Sequence, residues 1–186
     1  MISEELKNLI TSANKSDCNL IIGRKDTGKS TYLINIIEGT DKQEIIFVSP
    51  KIKQYQVIKE EKTVLLMNDY ILFKSGFLHK EPENMLIIFD DSKYYINVNP
   101  NETNTRQIFN FLRNSRHANN SIYSVFHSFS EVNEQFFSLI DKIILFKTTD
   151  NITKFKNLFT NYDIVEKSFN KINNHKDDHI NEIIEV

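Results

Sequence analysis

The chain has 186 residues, enough for one domain with a short extension, and 40% of them are hydrophobic against 26% charged, the balance of a globular protein. The formal net charge of −2 excludes nucleic-acid binding driven by bulk charge, so any such contact requires a local patch. The single cysteine, Cys18, excludes an intramolecular disulfide and fits a reduced, cytoplasmic protein.

The opening MISEELKNLI carries acids where a signal peptide carries basic residues, and residues 1–16 read as a helical extension. No apolar run approaches the roughly 20 residues that span a bilayer. CNLIIG reads as a buried strand, and KSTYLINIIEG as a helix ending near Gly39. EIIFVSP is a second strand stopped by Pro50. Residues 51–81 are the least readable, because TVLLMN and YILFKSGF suit strands or helical pieces equally. NMLIIFDD, SIYSVFHSF and KIILFKT are the third, fourth and fifth strands. Continuous Ile, Leu, Val and Phe runs suit strands covered on both faces, as in a parallel sheet with crossover helices. Between the third and fourth strands, residues 103–117 read as a helix with Ile108, Phe109, Phe111 and Leu112 towards the core. Ser128 and Glu131 fit a capping box for a helix over about residues 129–139. The main domain spans residues 1–161, and residues 162–186 form a polar C-terminal extension with a weak helical pattern and a loose end.

Gly23-Arg24-Lys25-Asp26-Thr27-Gly28-Lys29-Ser30 matches G-x-x-x-x-G-K-[ST], between a strand and a helix. The glycines permit a tight bend that aims backbone N–H groups at an anion, and the helix adds its positive N-terminus. Lys29 is placed to reach the β/γ-phosphates and the Ser30 hydroxyl to bind Mg²⁺, with Thr31 continuing the cradle. The nucleotide also needs a carboxylate for the metal shell and a group to orient water. LIIFDD supplies both at a strand end: Asp90 for Mg²⁺ and Asp91 for water, although paired acids at such a place also suit a solvated turn. The pair argues against a small-molecule kinase. A GTPase fails as well, because NKSD at 14–17 precedes the P-loop strand and no D-x-x-G follows Asp91.

Three of the four arginines, Arg106, Arg113 and Arg116, fall on the 103–117 helix, the first two seven apart on one face. Arg116, and after it Arg113, suits an arginine finger, the alternatives being a solvated basic face or a DNA-phosphate contact. His127 ends the fourth strand, where it either senses the γ-phosphate and water or is a satisfied structural histidine. HKDDH at 175–179 lacks a third metal ligand and reads as solvated.

The P-loop, LIIFDD, FLRNSRHANN, SIYSVFHSF and DKIILFKTTDN together resemble the FtsK/HerA superfamily of P-loop ATPases over about residues 17–160. The likeness is to the compact viral genome-packaging branch of poxvirus and lipid-containing phage type, with the Zot-like phage ATPases as relatives. It implies a RecA-like α/β fold, a mainly parallel sheet in strand order 5-1-4-3-2 with helices on both faces, and a ring oligomer. It further implies ATP and Mg²⁺ as cofactors, Asp90 as the Walker B acid, Asp91 as the catalytic acid, Arg113 or Arg116 as the finger, and His127 at the sensor position. The family usually has Gln where this chain has His127, and many members have Glu where it has Asp91. The implied function is ATP-driven movement of viral double-stranded DNA into a capsid, with capsid or portal proteins as partners, in the host cytoplasm or on the virion. DNA loops would come from residues 92–105 or 51–81. A Zot-type assembly ATPase or a nucleotide-dependent switch with little turnover are the alternatives.

Overall fold

The computed structural model describes residues 16–50, 63–74, 76–79, 82–96 and 103–186. Residues 1–15 of the expected helical extension at 1–16, and residues 51–62, 75, 80–81 and 97–102 of the suggested DNA loops, lie outside them.

The five expected strands all form: β1 (Cys18–Ile22), β2 (Glu44–Val48), β4 (Leu86–Phe89), β5 (Ser121–Phe126) and β6 (Lys142–Phe146). Two more join them, β3 (Thr63–Met67) and β7 (Asn181–Glu185), in a single sheet of order β3-β2-β4-β5-β1-β6-β7. The five core strands thus stand in the 5-1-4-3-2 order that the resemblance implied, with one strand added at each edge. All pairings are parallel except β6–β7.

Helices cover both faces. The helix α1 (Lys29–Gly39) turns Tyr32, Leu33, Ile36 and Ile37 onto Ile21, Phe47, Ile88, Val125 and Phe146 on one face. These four positions follow the i, i+3, i+4 spacing of a helix with one apolar stripe. On the other face lie α3 (Thr103–Ser115), α4 (Glu134–Phe137) and α5 (Tyr162–Asn174), which share a core with Leu20, Ile22, Ile87, Phe89, Phe126 and Leu145. Every β1, β4, β5 and β6 residue is buried, which explains why these strands read as unbroken apolar runs.

Three local expectations need correction. The helix expected over 129–139 is two pieces, a 3₁₀ turn at Phe129–Glu131 and the short α4. Asn133 causes the break: its side chain accepts the Gln135 N–H and starts α4 afresh. Ser128 makes no capping bond, and Glu131 instead accepts the His127 N–H at 2.9 Å. The helix expected over 103–117 ends at Ser115 and passes into a 3₁₀ turn, Arg116–Ala118. The loose C-terminal end is a full helix, α5, followed by β7, which pairs with β6 along five residues. In the unreadable stretch, TVLLM is β3, while Asp69–Lys74 is a short helix α2 and Phe77–His79 a 3₁₀ turn.

Candidate functional site

The site forms at the carboxyl ends of the parallel strands, where β1, β4 and β5 hand over to loops. Gly28 takes φ +90°, a left-handed conformation open to glycine, and starts α1 without a side-chain cap. Asp26 also lies in the left-handed region, at φ 64°, where aspartate is among the few tolerated side chains. The first N–H groups of α1 therefore point at the cavity with the positive end of the helix dipole behind them. The loop is tied down from outside and within: the Arg24 N–H donates to the Lys147 carbonyl at 2.7 Å, and the Thr27 hydroxyl donates to the Arg24 carbonyl at 2.8 Å.

Gly23 has a different reason to be glycine. A Cβ there would come within 2.5 Å of the Phe146 Cβ and 3.4 Å of its Cα, on the neighbouring strand. Gly23→Ala is expected to destabilise the fold by about 1–3 kcal/mol, the ordinary cost of overpacking, measured as a lower denaturation midpoint in urea.

Lys29 is buried and its ammonium folds back onto the loop, donating to the carbonyls of Gly23 at 2.5 Å and Arg24 at 2.7 Å. Burial pushes its pKa down to about 8, a fall that the carboxylates of Asp91, Asp90, Asp26 and Glu131 partly oppose. Its third neighbour is His127 Nδ1, at 3.4 Å. On the other side of the ring, His127 Nε2 lies 2.9 Å from Asp91 Oδ1. With an ammonium donor at Nδ1, the ring accepts there and donates from Nε2 to the carboxylate.

Asp90 and Asp91 are both buried. The Ser49 hydroxyl, from the end of β2, donates to Asp90 Oδ2 at 3.0 Å. Asp91 sits at φ 48°, ψ 50°, in the left-handed region. Ser92 fixes that bend, donating to the Phe89 carbonyl at 2.7 Å and accepting the Val125 N–H at 3.0 Å. Glu131 joins the cluster from the far side: one oxygen holds the His127 N–H, and the other pairs with Lys93 at 2.9 Å. Lys25, Asp26, Gly28, Lys29, Ser30, Thr31, Asp90, Asp91 and His127 all line one cavity of about 370 Å³.

The arginines of the 103–117 stretch lie elsewhere. The turn Arg116–Ala118 meets the amino edge of the sheet, where the Asn84 N–H donates to the Ala118 carbonyl just before β4. Six-residue β5 runs from there back to His127, a span of roughly 20 Å. Arg113 is exposed, two residues before α3 ends, and Arg106 stands exposed nearer the other end of that helix. The Arg116 side chain lies outside the described structure. Arg113 does not line the cavity of its own chain. The same geometry disposes of NKSD: Asp17 lies at the amino end of β1, paired with Lys142 at 2.5 Å, while Asn14 and Lys15 are outside the described residues.

HKDDH at 175–179 is not a free solvated stretch. Asp178 Oδ1 pairs with Arg24 at 3.0 Å and Lys147 at 2.7 Å, so this turn docks on the phosphate loop. The Lys147 hydrogen bond, ahead of the pull of both cations, holds the Asp178 carboxyl below its usual range. His179 lines the cavity. Among the described residues no cluster of three or more His, Cys, Asp or Glu could hold a metal by itself.

No protein-family model matches the chain, and no curated protein is similar to it. Solved structures do match. The genome-packaging NTPase B204 of Sulfolobus turreted icosahedral virus 2, in complex with ATP-γ-S, aligns with a TM-score of 0.67 at 19% identity, covering 91% of this chain and 92% of that one. B204, the DNA-packaging ATPase of Sulfolobus turreted icosahedral virus, aligns at 0.63 and 20%, covering 91% and 97%. The fold is that of these viral genome-packaging NTPases. The N-terminal domain of zonular occludens toxin from Neisseria meningitidis is a further, looser match, at 0.51 and 12% over 73% of this chain and 78% of that one. The resemblance drawn from the P-loop and LIIFDD therefore holds for the fold, RecA-like sheet included. Ser49, Glu131 and the 175–179 turn are the parts of the site that reading the sequence did not assign to it. Only the SP pair after β2 and the Glu four residues beyond His127 hinted at the first two.

Proposed function

We propose that this chain hydrolyses ATP to drive viral double-stranded DNA into a capsid, working as a homo-oligomeric ring. The convergence of Lys29, Ser30, Asp90, Asp91 and His127 on one cavity carries the reading. The end-to-end likeness to B204, a packaging NTPase of nearly the same extent, supports the choice of substrate and task.

The α1 N-terminus and Lys29 bind the triphosphate tail. To do so, Lys29 exchanges its bonds to the Gly23 and Arg24 carbonyls for phosphate oxygens. Ser30 and Asp90 would hold Mg²⁺, which when bound would supply neutralisation of charge on the phosphate oxygens. Asp91 accepts a proton from the attacking water, and His127 holds its carboxylate in place from Nε2. Arg116 or Arg113, being at the far edge of its own sheet, completes the cavity of the neighbouring subunit.

The test is ATP turnover of the purified chain with and without double-stranded DNA. DNA should raise the rate severalfold, with rings forming in the presence of nucleotide. Arg116→Ala is expected to cut turnover while sparing ATP binding. Mixing it with Asp91→Asn subunits should restore part of the activity, because a mixed ring contains sites with an intact acid and an intact finger. Full turnover by Arg116→Ala alone would remove it as the finger, and turnover indifferent to DNA would remove the motor.

A further inference from the structure

The cavity has a second end that the phosphate chemistry does not use. Asp90, Asp91 and His127 stand on the β4–β5 side of the phosphate loop. On the other side of β1 come β6 and then β7, and the turn that leads into β7 carries His179. The His179 ring stands beside the loop, with its Cδ2 3.2 Å from where a Gly28 Cβ would be. A substrate whose reacting end lies at Asp91 and whose chain passes over Lys29 can extend its remaining part towards His179 in the same cavity.

The turn is held from several directions. Asp178 bridges Arg24 of the loop and Lys147 at the end of β6. The Thr148 N–H donates to Asn173 Oδ1 at 3.1 Å, tying the end of α5 to the same strand end. Within the turn, the His179 N–H donates to Asp177 Oδ1 at 2.8 Å and the Asp177 N–H to His175 Nδ1 at 3.1 Å. The backbone is thus fixed, while the His179 side chain remains 69% exposed.

We propose that His179 is the base-contacting residue of the nucleotide site, its imidazole face lying against the purine. Two features favour the nucleoside over the phosphates. Asp177 lies beside the ring, its Oδ1 3.5 Å from His179 Nδ1, and its carboxylate repels a polyanion. A planar, largely exposed ring on a clamped backbone gains by being covered with another flat ring, at little further cost in ordering. The proposal rests on the nucleotide-binding reading above.

The experiment compares ATP with inorganic tripolyphosphate, each with Mg²⁺, by calorimetry on the full chain. His179→Ala should weaken ATP roughly tenfold, in line with loss of one base-stacking contact, and leave tripolyphosphate unchanged. His179→Phe, which keeps a flat ring, should retain the affinity for ATP. Unchanged ATP affinity in His179→Ala overturns the assignment. So does equal weakening of both probes, which would put the ring on the phosphates or show a disturbed loop. If the unsubstituted protein binds neither probe, the nucleotide reading falls and this inference with it, an outcome visible before any substitution is made.

Discussion

Lys29→Ala is expected to weaken ATP binding by at least about 100-fold and to abolish turnover. The ammonium is the one side-chain cation held inside the loop, and hydrogen bonds from a charged donor contribute about 1.5–3 kcal/mol each; two to the phosphates account for the factor. The fold should survive, since the substitution also removes the cost of burying a charge, and thermal denaturation checks this. Protonation supplies a second readout. Burial depresses Lys29 to about 8 from an ordinary 10.5, so above pH 8 the empty site increasingly holds a neutral amine. A bound triphosphate favours the ammonium, so binding takes up a proton in this window and affinity falls as pH rises through it. Titration calorimetry in buffers of different ionisation enthalpy should show that uptake near pH 9 and almost none at pH 7. The unliganded fold has its own pH dependence with the opposite sense. The unfolded chain keeps its Lys29 proton up to 10.5, so the destabilisation from the buried charge is complete below pH 8 and fades between 8 and 10.5. Binding that weakens with pH while the empty protein gains stability would be hard to explain by any other group in the cavity.

The parts of the fold that were legible are those whose residues experience only one kind of environment. β1, β4, β5 and β6 are buried on both faces, so their apolar runs are continuous and bounded by turns. The α1 and α3 helices each cover a face and show the stripe that this demands. Edges are different. In β7 only Ile184 is buried and Ile183 is 42% exposed, so NEIIE carries too little apolar signal to stand out from a polar tail. β3 sits at the other edge with Leu65 half exposed, and its five residues suit either period. Within the site, Lys29, Asp90 and Asp91 announced themselves because their chemistry needs neighbours close in sequence. Asp178 did not, because its partners Arg24 and Lys147 come from distant segments, and HKDDH looks the same whether it is solvated or clamped. The strand order itself came with the family resemblance rather than from periodicity, which is blind to which strands lie side by side.

Asp91→Asn is expected to lower ATP turnover by a factor on the order of 10²–10⁴, the usual contribution of a positioned general base, while ATP binding changes only a few-fold. The substitution is well suited to the question. Asn tolerates the left-handed conformation that Asp91 holds at φ 48°, and its amide oxygen can still accept from His127 Nε2, now 2.9 Å from the carboxylate. Shape and hydrogen bond persist; the charge and the proton-accepting capacity go. His127→Ala should cost less, roughly 10-fold, because it frees the carboxylate without removing it, and His127→Gln should recover most of that by donating an amide N–H in its place. The double variant tests whether the two act as a unit. If His127 works through Asp91, adding His127→Ala to Asp91→Asn costs almost nothing more. If the losses multiply instead, His127 acts on the nucleotide directly, and the 3.4 Å approach of its Nδ1 to Lys29 becomes the contact to pursue. Undiminished turnover in Asp91→Asn would pass the base to Asp90, whose Ser49 hydrogen bond then marks the acid that accepts the proton rather than the one that holds the metal.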